Sequence, residues 1–107
     1  MESRQYKFNN STLTVKFGNI LDTNVEIIVS SDDYYITMGG GVSRAILQAG
    51  GDIIMKDAQK MCPVPLGDVV VTTAGKMEKQ KYVYHCITID KKRRLLMLAL
   101  QVTEEDV

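Results

Sequence analysis

Four polar residues and three glycines lie close together in the first half of the chain: Ser30-Ser31-Asp32-Asp33, then Gly39-Gly40-Gly41. An aspartate here can accept hydrogen bonds or act as a base toward water. Glycines lack a Cβ, so their backbone amides can approach an anion closely. Val42, Ala45, Ile46 and Ala49 follow at the i, i+3, i+4, i+7 spacing of one helix face. A helix opening at Val42 adds unpaired N–H groups and the positive end of its dipole. A diphosphate is the natural guest of such an arrangement.

Neither familiar nucleotide fingerprint is present. The phosphate loop's Lys is absent, and Arg44 stands where the dinucleotide pattern has its third glycine. A glycine run also suits a flexible connector. Asp32 and Asp33 equally suit ordinary turn hydrogen bonds.

The elements that must position these residues are legible from pattern. Tyr6 and Phe8 precede a turn at Asn9-Asn10-Ser11, and Leu13, Val15 and Phe17 alternate with polar residues from Thr12 to Phe17, which predicts a hairpin. Val25-Glu26-Ile27-Ile28-Val29 reads as a central strand buried on both faces, in a parallel position, with an acidic turn after it. Gly50-Gly51 closes the first helix. Asp52 is predicted to cap a second one carrying Ile53, Ile54, Asp57, Ala58 and Met61, ended by Pro63 and Pro65. Val69–Thr73 and Tyr82–Ile89 are further strands, so the fold class is α/β and layered.

Composition excludes several classes. The 107 residues fit one small domain, and an apolar fraction of 45% argues against disorder. Thirteen basic and thirteen acidic residues cancel, leaving no general attraction to nucleic acid or anionic membrane. The basic run 91–94 has no aromatic platform beside it. Cys62 and Cys86 lack metal-ligand spacing and are expected to be small buried thiols. His85 is the only histidine and is expected to be a hydrogen-bonded structural residue. No metal or cofactor is expected. With no signal-peptide pattern and no apolar run near the ~20 residues of a membrane span, a cytoplasmic protein is expected.

Toward the end, Asp90 is placed to cap a helix containing Leu95-Leu96-Met97-Leu98-Ala99-Leu100, although Lys91 to Arg94 would sit unfavourably at its positive end. Thr103-Glu104-Glu105-Asp106 resembles the opening of another element. The expectation is a fragment or a truncated product.

Gly18-Asn19-Ile20, the strand ending at Val29, Gly39-Gly40-Gly41-Val42, Ala45-Ile46 and Ala49-Gly50-Gly51 occur in an order that resembles a macro domain. The later pair, Gly67 to Gly75 and Lys81 to His85, adds to the likeness, which spans about residues 12–90. The resemblance implies a three-layer α/β/α module with a mixed sheet, here incomplete, forming a single domain over 1–107. It also implies binding of ADP-ribose or an ADP-ribosylated protein. Alternatives are hydrolysis of ADP-ribosyl conjugates or O-acetyl-ADP-ribose, and an oligomeric fragment that binds no nucleotide.

Carried over by position, the resemblance implies ligand contacts at Asn19, Ile20, Asp22, Ser30, Asp33, Gly39, Gly40, Gly41 and Val42. The family's adenine-binding Asp is replaced here by Asn19, an uncharged acceptor, with Asp22 nearby. Its Asn-Ala-Ala-Asn run is replaced by Ser30-Ser31-Asp32-Asp33, which puts Asp33 toward the distal ribose and makes it the candidate catalytic base. Tyr34, Tyr35 and Ile36 stand where the family's loop covers that ribose, although packing against the sheet is the use expected of them. The family's second glycine-rich loop has no counterpart after Ile89. An incomplete sheet edge then predicts a homodimer or a swapped assembly burying residues 95–100.

Overall fold

The computed structural model describes residues 3–89, which fall into two compact units, 3–23 and 24–89. The first unit is a hairpin of β1 (Ser3–Phe8) and β2 (Ser11–Lys16), paired antiparallel with Tyr6 opposite Leu13. Asn9 turns the chain at φ 54°, a left-handed conformation that Asn tolerates better than most residues. A 3-10 turn follows at Ile20–Asp22, capped by Asn19, whose Oδ1 accepts from the Leu21 amide at 3.0 Å.

The second unit holds β3 (Ile27–Asp33), α1 (Gly41–Gly50), α2 (Asp52–Gln59), β4 (Val69–Thr73) and β5 (Tyr82–Ile89). The sheet order is β3-β5-β4, with β3 parallel and β4 antiparallel to β5, so the sheet is mixed. The fold is α/β, as the strand and helix alternation predicts.

Expectations about β3 are corrected. Among the described residues it pairs with β5 alone and is not central, and it is not buried on both faces: Ile28 is 1% exposed and Val29 54%. The register puts Ile28, Ser30 and Asp32 on the same face as Val83, His85, Ile87, Val70 and Thr72, all buried. That face carries the core, with α1 packed on β3, α2 on β4, and the helices on each other. The strand also runs on through the residues read as an acidic turn, because pairing with β5 continues from Ser30 opposite His85 to Asp33 opposite Ile89.

Gly51, at φ 90°, ends α1 with its amide on the Leu47 carbonyl and also stands as the N-cap of α2. Asp52 is therefore the first helical residue and not the cap, a further correction, and its acid still sits favourably at the positive helix end. Helix α2 ends at Gln59, before a cis Cys62–Pro63 peptide. Among the described residues no helix is long and apolar enough to cross a membrane. The expected helix after Asp90, the element opening at Thr103 and the dimer contact at 95–100 lie outside the described residues.

The end of α1 crosses the end of β4 at a glycine pair. The Lys76 amide donates to the Gly50 carbonyl at 2.9 Å, and a Cβ on Gly75 would lie 2.2 Å from that oxygen. Gly75 also has φ 59°. Gly75→Ala is expected to destabilise the protein by more than ~1 kcal/mol, because both the space and the backbone conformation exclude a side chain. The urea midpoint measures it, and an unchanged midpoint would contradict the crossing.

Candidate functional site

The C-terminal end of β3 is where the chemistry collects. One extra residue in β5, Thr88, interrupts the pairing between Asp32 and Asp33. Its hydroxyl is hydrogen-bonded to Ser31. Such a bulge bends a strand and re-aims its last side chain. Asp33 then organises the exit. Its Oδ1 accepts from the amides of Tyr35 at 3.0 Å and Thr37 at 3.3 Å, and its Oδ2 accepts from the Thr37 hydroxyl. The turn hydrogen bonds that the sequence allows for Asp33 are thus made.

Ile36 and Met38 on either side of Thr37 have φ 51° and 52°, uncommon for any side chain and more so for a β-branched one. Both are buried, at 0% and 2% exposure. Burying these two apolar side chains holds the backbone in that form and delivers the chain to Gly39 and Gly40. Helix α1 starts at once, with Gly40 as N-cap. Its carbonyl accepts from the Ser43 hydroxyl at 2.9 Å and the Arg44 amide at 3.3 Å. The amides of the first turn have no acceptor within the helix.

A cavity of about 370 Å³ opens between these parts. Ser31, Asp32 and Asp33 line it from β3, Thr37, Met38, Gly39 and Gly40 from the connecting loop, Ser43 from α1 and Ile89 from β5. The volume lies within the range of small-molecule sites. One wall carries the Asp33 carboxylate, and the other carries glycine backbone and the positive helix end. The hairpin unit has a depression of its own, about 570 Å³, among Ser3, Arg4, Val15, Lys16 and Phe17. It consists of exposed strand residues and gathers no catalytic group.

Behind the carboxylate wall runs a polar relay. Asp32 Oδ2 lies 2.9 Å from His85 Nδ1, and His85 Nε2 lies 2.9 Å from the Thr72 hydroxyl. The contacts step diagonally across β3, β5 and β4, a reach that long side chains can bridge. Asp32 is 3% exposed and His85 0%, so the histidine is the hydrogen-bonded structural residue that its mid-strand position predicts. Asp32 Oδ1 and the Ser30 hydroxyl are buried without a hydrogen-bond partner.

The predicted site residues are not all brought together. Asp33, Gly39 and Gly40 line the cavity. Gly41 and Val42 form the first turn of α1 beside it. Ser30 is fully buried on the core face and is not part of the lining. Asn19, Ile20 and Asp22 belong to the other unit, where Asn19 caps the 3-10 turn. Tyr34 and Tyr35 stack at 4.1 Å between ring centroids, while Ile36 is in the core. Residues not singled out as ligand contacts but lining the cavity are Ser31, Asp32, Thr37, Met38, Ser43 and Ile89. Only the Asp33-to-Thr37 turn left a local signal, an Asp followed by a Thr four residues on.

Cys62 and Cys86 are free thiols, half-buried rather than buried as expected, because neither sits on the sheet's core face. Burial pushes the Cys62 thiol above its ordinary value, and the charges of Asp33 and Asp32 add to this. Burial and then Asp32 do the same to Cys86. Among the described residues no cluster of His, Cys, Asp and Glu could hold a metal ion.

Comparison with known proteins agrees with this geometry. The macro domain family matches residues 29–100. An uncharacterised protein of Sulfurisphaera tokodaii is 46% identical over 74 residues, covering 65% of this chain and 40% of its own. A macro domain-containing protein of Caldanaerobacter subterraneus is 39% identical over 74 residues, covering 65% of this chain and 42% of its own. Among solved structures, a mutant Oceanobacillus iheyensis macrodomain superposes with a TM-score of 0.76 at 26% identity, over 81% of this chain and 47% of that one. Another mutant of it, with ADPR, gives 0.75 at 25% identity, over 80% and 50%. The chain thus spans about 40% of the length of these curated relatives and about half of these solved chains.

The cysteines report on the carboxylate wall. A raised thiol pKa means less thiolate at a given pH, so alkylation of both by iodoacetamide should lag free cysteine at pH 8 and catch up only at higher pH. Asp33→Asn removes one charge acting on Cys62 and none acting on Cys86. The Cys62 profile should shift to lower pH and that of Cys86 stay. Peptide mass spectrometry across pH checks this, and an unmoved Cys62 contradicts it.

Proposed function

The chain belongs to the macro domain family, and from that premise we propose that it binds ADP-ribose, free or on a modified protein, in the cavity between β3 and α1. The observation that carries this is the meeting of Gly39 and Gly40 with the first turn of α1 on one wall of a 370 Å³ cavity. Backbone amides there are free to hold a diphosphate, and the helix dipole favours its charge. The opposite wall, with Asp33 and Thr37, offers oxygen atoms suited to a sugar.

Hydrolysis of ADP-ribosyl conjugates has less support. Both oxygens of Asp33, its candidate base, already accept hydrogen bonds from the turn. A carboxylate so engaged has fewer lone pairs left to receive a proton from water. Binding is therefore the reading preferred to turnover.

Calorimetric titration of the 107-residue chain with ADP-ribose, with AMP as control, tests the proposal. Micromolar binding of ADP-ribose and none of AMP is expected. No heat from a folded sample would reject it. Gly40→Val sharpens the test, because a Cβ on Gly40 meets nothing within 4 Å and Gly40 lines the cavity. The variant should keep its thermal midpoint and weaken ADP-ribose binding by about tenfold or more, roughly 1.4 kcal/mol. Unchanged affinity would move the ligand away from the glycine loop.

A further inference from the structure

We propose that Ser43 is a positioning residue for the ligand's diphosphate: its hydroxyl holds the Gly40–Gly41 peptide with the N–H toward the anion and the carbonyl away from it. This deepens the ADP-ribose reading above and rests on it. Ser43 is 6% exposed, lines the cavity from the first turn of α1, and donates to the Gly40 carbonyl at 2.9 Å. The Arg44 amide donates to the same oxygen at 3.3 Å. That carbonyl is thereby turned into the helix. The peptide joining Gly40 to Gly41 is planar and trans, so its C=O and N–H point in opposite directions. The Gly41 N–H therefore points out of the helix end, where Gly40 borders the cavity. Nothing among the described residues accepts from it.

The backbone alone does not secure this orientation. Gly40 has ψ 166° and Gly41 has φ 58°, and glycine passes as readily to negative φ as it adopts this left-handed value. Turning the peptide over changes only these two angles. A Cβ on Gly40 or Gly41 would meet nothing within 4 Å, so the surroundings leave room for the turn. The overturned form puts the carbonyl oxygen where the N–H was, an acceptor facing phosphate oxygens that are themselves acceptors. Of the two bonds that hold the productive form, the one from Arg44 is long for an N–H donor, and the one from Ser43 is the shorter. The glycine pair thus gives an anion close approach, and one hydroxyl removes the freedom that glycine brings with it. A ligand that binds only one orientation loses affinity by the fraction of molecules in the other.

ADP-ribose is titrated calorimetrically into the full chain, Ser43→Ala and Ser43→Thr. Ser43→Ala should still melt cooperatively and bind about five- to tenfold more weakly, because one hydrogen bond on the productive form is gone. Ser43→Thr restores the hydroxyl and should bind within about twofold of the wild type. The Gly41 amide gives a readout that a merely structural serine would not move. Its proton resonance should shift downfield when ADP-ribose saturates the wild type, and split or broaden in ligand-free Ser43→Ala as two orientations exchange. Wild-type affinity in a folded Ser43→Ala, or alanine-like affinity in Ser43→Thr, overturns the inference and leaves the ADP-ribose reading standing. If Ser43→Ala does not fold, the wild-type resonance decides, and a Gly41 amide unmoved by saturating ADP-ribose overturns the inference. No binding of ADP-ribose to the wild type overturns both readings.

Discussion

The second unit depends on the neutralisation of one carboxylate. Asp32 sits on the core face of β3, where an unpaired charge would be strongly unfavourable. His85 of β5 meets it at 2.9 Å and is itself anchored on Thr72 of β4. Breaking a buried pair by removing one member is far worse than never having had it. The relay therefore fixes the relative position of three strands that are distant in sequence. It also keeps a polar residue at the foot of the cavity, where an apolar side chain would pack more easily.

From this anchor the chain must reach α1 without filling the space between. Asp33 gathers the turn by accepting from the amides of Tyr35 and Thr37 and from the Thr37 hydroxyl. Ile36 and Met38 adopt left-handed backbone and are held there by burial of their side chains. Unfavourable local conformation sustained by packing is typical of functional loops. Its effect here is that the glycine loop is shaped before a ligand arrives, so less ordering is left for binding to do.

What the sequence made legible follows from range. The limits of β4 and β5 were plain because β-branched and aromatic runs are bounded by glycines and charges. The start of α1, the hairpin and its Asn turn rest on equally local signals. The exit from β3 was not legible. Ser30-Ser31-Asp32-Asp33 has the composition of a turn, and only a parallel partner more than fifty residues away makes it a strand. For the same reason Asp32 looked like a turn acid, whereas Asp52 looked like a cap because Gly51, which holds that position, offers no side-chain signal. The glycine wall of the site could be read from neighbours in sequence, whereas the carboxylate wall is a product of pairing.

The crossing of Gly50 and Gly75 has a mechanical side. It pins the C-terminal end of α1 to the end of β4 through the Lys76 amide, while the N-terminal end of the same helix forms a wall of the cavity. The helix is then a lever with its fulcrum far from the cavity. Ten residues give it a length of about 15 Å. A swing of about 4° at the fulcrum carries the N-terminal end roughly 1 Å, a displacement on the scale of a hydrogen bond made or lost. Aperture at the glycine loop and tightness at a distant pair of glycines are thus two readings of a single angle.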